Sequence, residues 1–144
     1  MFYKYYVKKK FTFEAAHQLD NLKYESKCKT LHGHSYTVEV KLFSNRLDEF
    51  GMVLDFNNFK PFKEYVDNNL DHSVLCTIEN LSKFDKCKTT VIIPNNTTSE
   101  CIAEFLADKF YELVLKNGLN HIEMIEILIS ETGNNQASFK RTIN

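Results

Sequence analysis

Residues 32–43 read HGHSYTVEVKLF, and this stretch decides the fold. Its second half alternates apolar and polar side chains, which is typical of a half-buried antiparallel strand because successive residues point to opposite faces. Residues 3–17 predict a strand of the same kind before it, with Phe11, Phe13, Ala15 and His17 sharing one face. We therefore predict two long strands in succession, separated by a polar loop over residues 23–29.

Two helices and two further strands follow in the sequence. Apolar residues recur at helical spacing from Phe59, and we expect this helix to begin near Asp55 to Asn58, both good capping residues. Pro61 fits only a first turn, which favours Asn58 as the cap. A second apolar stripe over residues 102–114 predicts another helix, and Gly118 follows it in the manner of a helix end. Residues 122–131 predict a β-branched strand that pairs with residues 137–143, and residues 89–93 indicate an additional short strand.

The main order of elements is strand, strand, helix, helix, strand, strand. This order favours the α+β class, with a four-stranded antiparallel sheet and two helices on one face. No linker or low-complexity tract interrupts the sequence, so we expect a single domain over residues 1–144.

Composition excludes several classes of function. Apolar residues make up 43% of the 144 and charged residues 26%, as in an ordinary globular protein. A net charge of −1 gives no electrostatic reason for binding nucleic acid or an anionic membrane. No apolar run approaches the roughly 20 residues of a membrane span, and the N-terminus does not resemble a signal peptide. We expect a cytoplasmic protein.

The histidines carry the strongest chemical signal. His32 and His34 are two residues apart on a predicted strand, so both imidazoles project from one face. If the two strands pair as a hairpin, His17 approaches the same point. Three histidines with an open position are typical of catalytic zinc, whereas structural zinc is usually closed by four protein ligands. The alternative is that they are ordinary polar residues at a strand edge.

The four cysteines have no CxxC spacing, so neither a zinc ribbon nor a dithiol redox motif is indicated. Cys28 differs from the others because Lys27 and Lys29 flank it in a polar loop, where nearby positive charge favours the thiolate. We interpret Cys28 as a candidate catalytic base rather than as a small buried residue.

Several motifs occur together in one order along nearly the whole chain. They are FEAAH (13–17), CKTLHGHSY (28–36), GMVLDF (51–56), LDH (70–72), TSE (98–100) and SET (130–132). With these motifs the chain resembles the 6-pyruvoyl-tetrahydropterin synthase family, and most closely its bacterial branch, the 6-carboxy-tetrahydropterin synthases of queuosine biosynthesis.

The resemblance implies a tunnelling fold, in which sheets from several subunits join into a barrel with the helices outside. It also implies a homohexamer built from two trimers, with active sites between subunits. The implied substrate is 7,8-dihydroneopterin triphosphate. The implied reaction releases acetaldehyde and triphosphate and leaves 6-carboxy-5,6,7,8-tetrahydropterin.

The resemblance also assigns roles to residues. It implies Zn2+ on His17, His32 and His34, acting as a Lewis acid on the substrate's side-chain hydroxyls. Cys28 would be the base, and Asp71 with His72 would form a second catalytic group, since a carboxylate orients an imidazole for proton transfer. The alternative for Asp71 and His72 is an ordinary helix end with an exposed ring.

Substrate binding is implied at two segments. Glu131 would anchor the pterin, because a carboxylate can accept both of its adjacent N–H donors. Thr98, Ser99 and Glu100 lie near the pterin in the family. They also fit a helix N-terminus, with Thr98 or Ser99 as the cap and Glu100 in the first turn, and both roles can hold together.

Two local departures and three alternative functions remain at this point, one of which is a pterin aldolase or cyclohydrolase on the same fold. Cys76 replaces a frequent Asn and Thr97 a frequent Pro, which affects loop geometry rather than the proposed ligands. Three residues separate Cys28 from His32, as in the bacterial branch, so we prefer its reaction to the elimination that yields 6-pyruvoyl-tetrahydropterin. A non-catalytic zinc-binding module is disfavoured, because structural zinc would not require Cys28, Asp71, His72 and Glu131.

Overall fold

The computed structural model describes residues 2–143, and a six-stranded sheet forms its centre. The strands in chain order are β1 (Tyr5–His17), β2 (His32–Ser44), β3 (Ser73–Cys76), β4 (Thr89–Val91), β5 (Met124–Glu131) and β6 (Asn135–Thr142). The helices are α1 (Lys60–Tyr65) and α2 (Ser99–Phe110), and each continues in one wider π-type turn, Val66–Leu70 and Tyr111–Leu115 respectively.

The sheet is larger than the sequence predicts. Its spatial order is β4-β3-β1-β2-β5-β6. Four strands, β1, β2, β5 and β6, pair antiparallel as predicted. In contrast, β3 pairs in parallel with β1, and β4 pairs in parallel with β3. The prediction of a four-stranded antiparallel sheet is therefore wrong. All four residues of β3 are buried, so this strand lacks the alternation by which a strand is recognised. The strand β4 lies within the short strand predicted over residues 89–93, but its place in the sheet was not predicted.

The first helix also starts differently from the prediction. Asn58 does not cap α1, whose N-cap position is Phe59 with no side-chain hydrogen bond. Asp55 instead caps a turn that precedes α1, where its carboxylate accepts a hydrogen bond of 2.9 Å from the backbone N–H of Asn57. This bond begins a 3-10 turn over Phe56–Phe59, and α1 continues from it with Pro61 in its first turn. The chain therefore starts to coil three residues earlier than Pro61 alone indicates.

The core lies between one face of the sheet and both helices. Phe62 of α1 packs against Phe11 of β1 and Phe110 of α2, with ring centroids 5.2 Å and 5.1 Å away. All three rings are buried, and burial of each stabilises the fold by roughly 1.5–3 kcal/mol. Both helices therefore pack on the same face, as predicted.

The opposite face of the sheet is polar and carries no helix of this chain within the described residues. Lys8 and Lys10 are exposed on it, and both lie within 4.0 Å of the carboxylate of Glu39. Within residues 2–143 no helix is both long and apolar enough to span a membrane. The three histidines at the β1–β2 end thus lie on the helix-covered face, beside the start of α2.

Candidate metal and substrate site

Three histidine side chains meet where β1 ends and β2 begins. His17 is opposite His32 in the antiparallel register, and His34 projects from the same face two residues later. The ring centroid of His17 lies 4.6 Å from that of His32 and 5.1 Å from that of His34. One candidate ligand nitrogen of each ring lies within 4.8 Å of the others. One chain therefore assembles the histidine cluster that strand geometry predicts.

Each of the three rings is oriented by a hydrogen bond at its Nδ1 atom. The partners are the carbonyl of Thr97 for His17 at 2.7 Å, the carbonyl of Thr30 for His32 at 2.6 Å, and the hydroxyl of Thr132 for His34 at 3.2 Å. A proton held at Nδ1 leaves the lone pair on Nε2, the nitrogen that then ligates a metal. The cluster therefore presents three Nε2 atoms to a common point.

The donor set fits a divalent metal. Nε2 of His17 and Nε2 of His34 are buried without a hydrogen-bond partner in the described part of the chain. Burying a polar nitrogen in this way costs free energy unless a ligand binds it. Burial lowers the pKa of His17, the nearby His32 and His34 add to this effect, and the bond to the Thr97 carbonyl opposes it. A neutral imidazole is the form that binds a metal. His17, His32 and His34 could therefore hold an ion and leave a coordination position open.

Glu131 ends β5 beside the histidine cluster. It lies opposite Tyr36 in the β2–β5 register, so its side chain shares the face of His34. One carboxylate oxygen, Oε2, is 3.7 Å from Nε2 of His34. The other oxygen, Oε1, accepts a hydrogen bond of 2.6 Å from the hydroxyl of Ser99. A carboxylate thus lies next to a candidate metal ligand.

The segment before α2 shares a pocket with this carboxylate. Thr98 caps α2, because its hydroxyl accepts a bond of 3.2 Å from the backbone N–H of Cys101. Thr98, Ser99, Glu100 and Glu131 all line one pocket of about 250 Å³. The structure brings together the four residues that the resemblance assigns to substrate binding, and the capping role of Thr98 is confirmed alongside.

Asp71 and His72 form a separate group. Oδ1 of Asp71 accepts a hydrogen bond of 2.8 Å from the backbone N–H of Glu14. Its other carboxylate oxygen, Oδ2, is 3.0 Å from Nδ1 of His72. The bond from Glu14 lowers the pKa of Asp71 most, the bond and charge of His72 and the charge of Lys88 lower it further, and burial opposes them. The His72 side chain is 79% exposed and lines a cavity of about 680 Å³ with Glu14 and Lys88.

The dyad is not hydrogen-bonded to the three histidines in the described residues, although His34 and His72 line the same cavity. No hydrogen bond or ion pair described in residues 2–143 links either dyad residue to His17, His32 or His34. The backbone of His72 is in the left-handed region, with φ of 60°, and its N–H donates to the Glu14 carbonyl at 2.6 Å. The imidazole is therefore exposed, on a backbone conformation that few non-glycine residues adopt.

Cys28 lies in the short helical turn Lys27–Lys29, in the loop between β1 and β2. The hydroxyl of Ser26 caps this turn at the Cys28 N–H, and the Cys28 carbonyl receives the N–H of Leu19 at 2.7 Å. The thiol is exposed, in agreement with the sequence interpretation that it is not a core residue. Cys76, by contrast, is buried in β3, and burial raises its pKa.

Sequence reasoning missed the residues that orient the histidines. Thr30 and Thr97 act through backbone carbonyls, which leave no signal in the side-chain sequence. Thr132 acts through its hydroxyl and directly follows Glu131. Its place in the SET motif is the one available signal, but the motif by itself indicates no role for this residue.

Comparison with known proteins identifies the family of this chain. The family model described as 6-pyruvoyl tetrahydropterin synthase matches residues 6–142. The chain belongs to this family. That match, with the names of the relatives, confirms both the family predicted from the motifs and the prediction of an enzyme.

Among curated relatives, the chain is similar to proteins named 6-carboxy-5,6,7,8-tetrahydropterin synthase. The relative from Synechocystis sp. is 36% identical over 129 residues, which cover 86% of this chain and 88% of that protein. The relative from Rickettsia conorii is 32% identical over 105 residues, covering 69% of this chain and 75% of that protein. The relative from Aquifex aeolicus is 29% identical, covering 95% of this chain and 98% of that protein.

Solved structures agree on the fold. The 6-pyruvoyl tetrahydropterin synthase from Plasmodium vivax superimposes with a TM-score of 0.75 at 19% identity, covering 97% of this chain and all of that one. Caenorhabditis elegans 6-pyruvoyl tetrahydropterin synthase superimposes with a TM-score of 0.66 at 27% identity, covering 98% and 99% of the two chains. The α+β tunnelling fold expected from the resemblance is therefore shared with these structures.

Proposed function

We propose that this chain converts 7,8-dihydroneopterin triphosphate to 6-carboxy-5,6,7,8-tetrahydropterin, with release of acetaldehyde and triphosphate, in queuosine biosynthesis. The observation that carries the proposal is the 3.7 Å separation between Oε2 of Glu131 and Nε2 of His34. It puts a group suited to a pterin edge next to a group suited to a metal. The curated relatives that share up to 36% identity carry the name of this activity.

His17, His32 and His34 would hold Zn2+ through their Nε2 atoms. When bound, the zinc supplies Lewis-acid polarisation of the hydroxyls on the substrate side chain. The three Nδ1 hydrogen bonds keep the rings in the tautomer that this requires. The donor set contains no cysteine, which favours a catalytic over a structural site.

Substrate orientation depends on Glu131. Its carboxylate would accept the paired N–H donors of the pterin, while Ser99 fixes one oxygen at 2.6 Å. Thr98 and Glu100 line the same pocket from the start of α2. Binding the ring there directs the side chain of the substrate toward His34, because the carboxylate and that imidazole are adjacent.

Proton transfer would use Cys28 and the Asp71–His72 dyad. The Cys28 thiol is exposed in the loop that leads into β2, four residues before His32. The Asp71 carboxylate orients the His72 ring through a contact of 3.0 Å, as a proton-transfer pair requires. Because the His72 ring is exposed, we assign it to the active site of an adjacent subunit.

This assignment requires a homo-oligomer, and we propose a homohexamer made of two trimers of single-domain chains. The exposed edge of β6 supports it, since the outer side of this strand has no partner strand in the described chain. An open strand edge is a template for pairing with another chain. Sedimentation equilibrium of the pure protein would test the subunit number.

Metal analysis combined with product identification tests the reaction. Purified protein is assayed for zinc and incubated with 7,8-dihydroneopterin triphosphate, and products are identified by mass spectrometry. We expect one zinc per chain, acetaldehyde and 6-carboxy-tetrahydropterin. A 6-pyruvoyl product without acetaldehyde would support the other family reaction, and bound zinc without turnover would support a non-catalytic module.

A further inference from the structure

The hydrogen bond between His34 and Thr132 differs in kind from those of the other two histidines. His17 and His32 donate to backbone carbonyls, which can only accept a proton and so fix the tautomer. Nδ1 of His34 instead lies 3.2 Å from a hydroxyl, a group that can either accept or donate. The orientation and tautomer of His34 therefore depend on a side chain, which mutation can remove.

Thr132 adopts a backbone conformation that its side chain disfavours. Its φ is 49°, in the left-handed region, where a β-branched residue is a true outlier. Gly133 follows with φ of 86°, and a tight hairpin turn between β5 and β6 can require positive φ at both of its central residues. Glycine adopts such a φ without strain, whereas threonine does not.

Two contacts hold Thr132 in place. Its N–H donates to the carbonyl of Ser35 at 3.0 Å, which extends the β2–β5 ladder by one residue beyond Glu131. Its hydroxyl then reaches Nδ1 of His34, the neighbour of Ser35 on β2. Backbone strain that persists in this way is characteristic of functional sites.

We infer that Thr132 is a positioning residue, whose hydroxyl holds the His34 imidazole in its Nδ1–H tautomer with Nε2 directed at the metal. The inference rests on the metal site of the proposed function, but not on the reaction. It also explains why threonine stands at a position that glycine would occupy without strain: glycine would lose the hydroxyl.

Zinc titration of four variants tests the inference. Thr132→Val keeps the β-branched shape and removes the hydroxyl, Thr132→Ser keeps the hydroxyl, and Thr132→Gly removes both the strain and the hydroxyl. Thr12→Val, at an exposed site on β1, is the matched control. Zinc affinity is measured by competition with a chromophoric chelator, and unfolding of the metal-free proteins by urea.

The variants should distinguish an effect on the orientation of the His34 ring from an effect on the stability of the fold. We expect Thr132→Val and Thr132→Gly to weaken zinc binding about tenfold, the lower end of the range for partners of metal ligands, because Thr132 is exposed. Thr132→Ser and Thr12→Val should bind like wild type. Thr132→Gly should unfold at higher urea than Thr132→Val, since glycine accepts a positive φ. Wild-type affinity in both Thr132→Val and Thr132→Gly would overturn the inference.

A second measurement does not involve the metal. Two-dimensional nitrogen NMR of the metal-free protein reports which ring nitrogen of His34 carries the proton. We expect the Nδ1–H form in wild type and a shift toward Nε2–H in Thr132→Val. A wild-type Nε2–H form would overturn the inference, whereas a wild-type protein with the Nδ1–H form that binds no zinc would overturn only the proposed function.

Discussion

His17 and His32 are direct cross-strand partners at the last pair of the β1–β2 ladder, with ring centroids 4.6 Å apart. Every earlier pair in that ladder, back to Tyr5 and Ser44, fixes this pairing. A slip of one residue would turn one ring to the opposite face of the sheet. The candidate metal site is therefore built on rigid strands, and its geometry depends on their register.

Loss of one ring should abolish stable zinc binding. His17→Gln keeps a polar side chain of similar size but leaves two imidazoles. We expect the zinc content after dialysis to fall from about one per chain to near zero, as a three-ligand site requires all its ligands. Atomic absorption measures this. His121→Gln is the control, since His121 donates to the Val53 carbonyl away from the cluster, and it should keep its zinc.

The stability of the metal-free protein should fall with acidification through His17. Burial lowers the pKa of His17 in the folded state, whereas the unfolded chain takes up this proton near pH 6.5. Below that pH the unfolded state binds more protons, so the free energy of unfolding decreases as pH falls. Urea unfolding of the chelator-treated protein between pH 8 and pH 5 measures the slope, and His17→Gln should flatten it. Equal slopes in the two proteins would contradict the prediction.

The Ser99–Glu131 bond should affect substrate binding more than turnover. Ser99→Ala removes the 2.6 Å donor to Oε1 of Glu131 and leaves the carboxylate less fixed. A hydrogen bond to a charged group is worth about 1.5–3 kcal/mol, and water can replace part of it in an open pocket, so we expect KM to rise roughly five- to tenfold. Steady-state kinetics measures this.

A matched serine–glutamate pair provides the control for that experiment. Ser138 donates to Oε2 of Glu126 at 2.7 Å between β6 and β5, outside the pocket. Ser138→Ala should leave KM unchanged. An equal rise in KM for Ser99→Ala and Ser138→Ala would indicate a general effect of β5 distortion rather than a role in binding.

Mixing two inactive variants should restore activity if the site lies between subunits. Cys28→Ala and Asp71→Asn should each reduce turnover by roughly 10²–10⁴-fold while keeping zinc. When the two are unfolded, mixed in equal amounts and refolded, random assembly gives about a quarter of sites with both groups intact. Recovery near that level supports the inter-subunit site, and no recovery contradicts it. Asp67→Asn, which removes only an exposed pair with Lys63, is the control.

The sequence alone determined the elements with strong periodicity and the local chemistry they carry. Alternation along β1 and β2 placed His17, His32 and His34 on one face, and the structure confirms that they meet. The apolar stripes of α1 and α2 predicted two helices, because the spacing of apolar residues along the sequence defines an amphipathic face. The motif order was sufficient to predict the family, which the match over residues 6–142 confirms.

Only the tertiary structure decided the features that depend on distant residues. β3 is buried on both faces and so carries no alternation, and its parallel pairing with β1 follows from packing that no local pattern encodes. The carbonyl of Thr97 reaches His17 across 80 residues of sequence, and backbone atoms are the same in every residue type. The left-handed φ of Thr132 likewise contradicts its own propensity, because the tight turn between β5 and β6 and the contacts with β2 outweigh the local preference. The sequence thus supplied the ligands of the site, and tertiary contacts set their orientation.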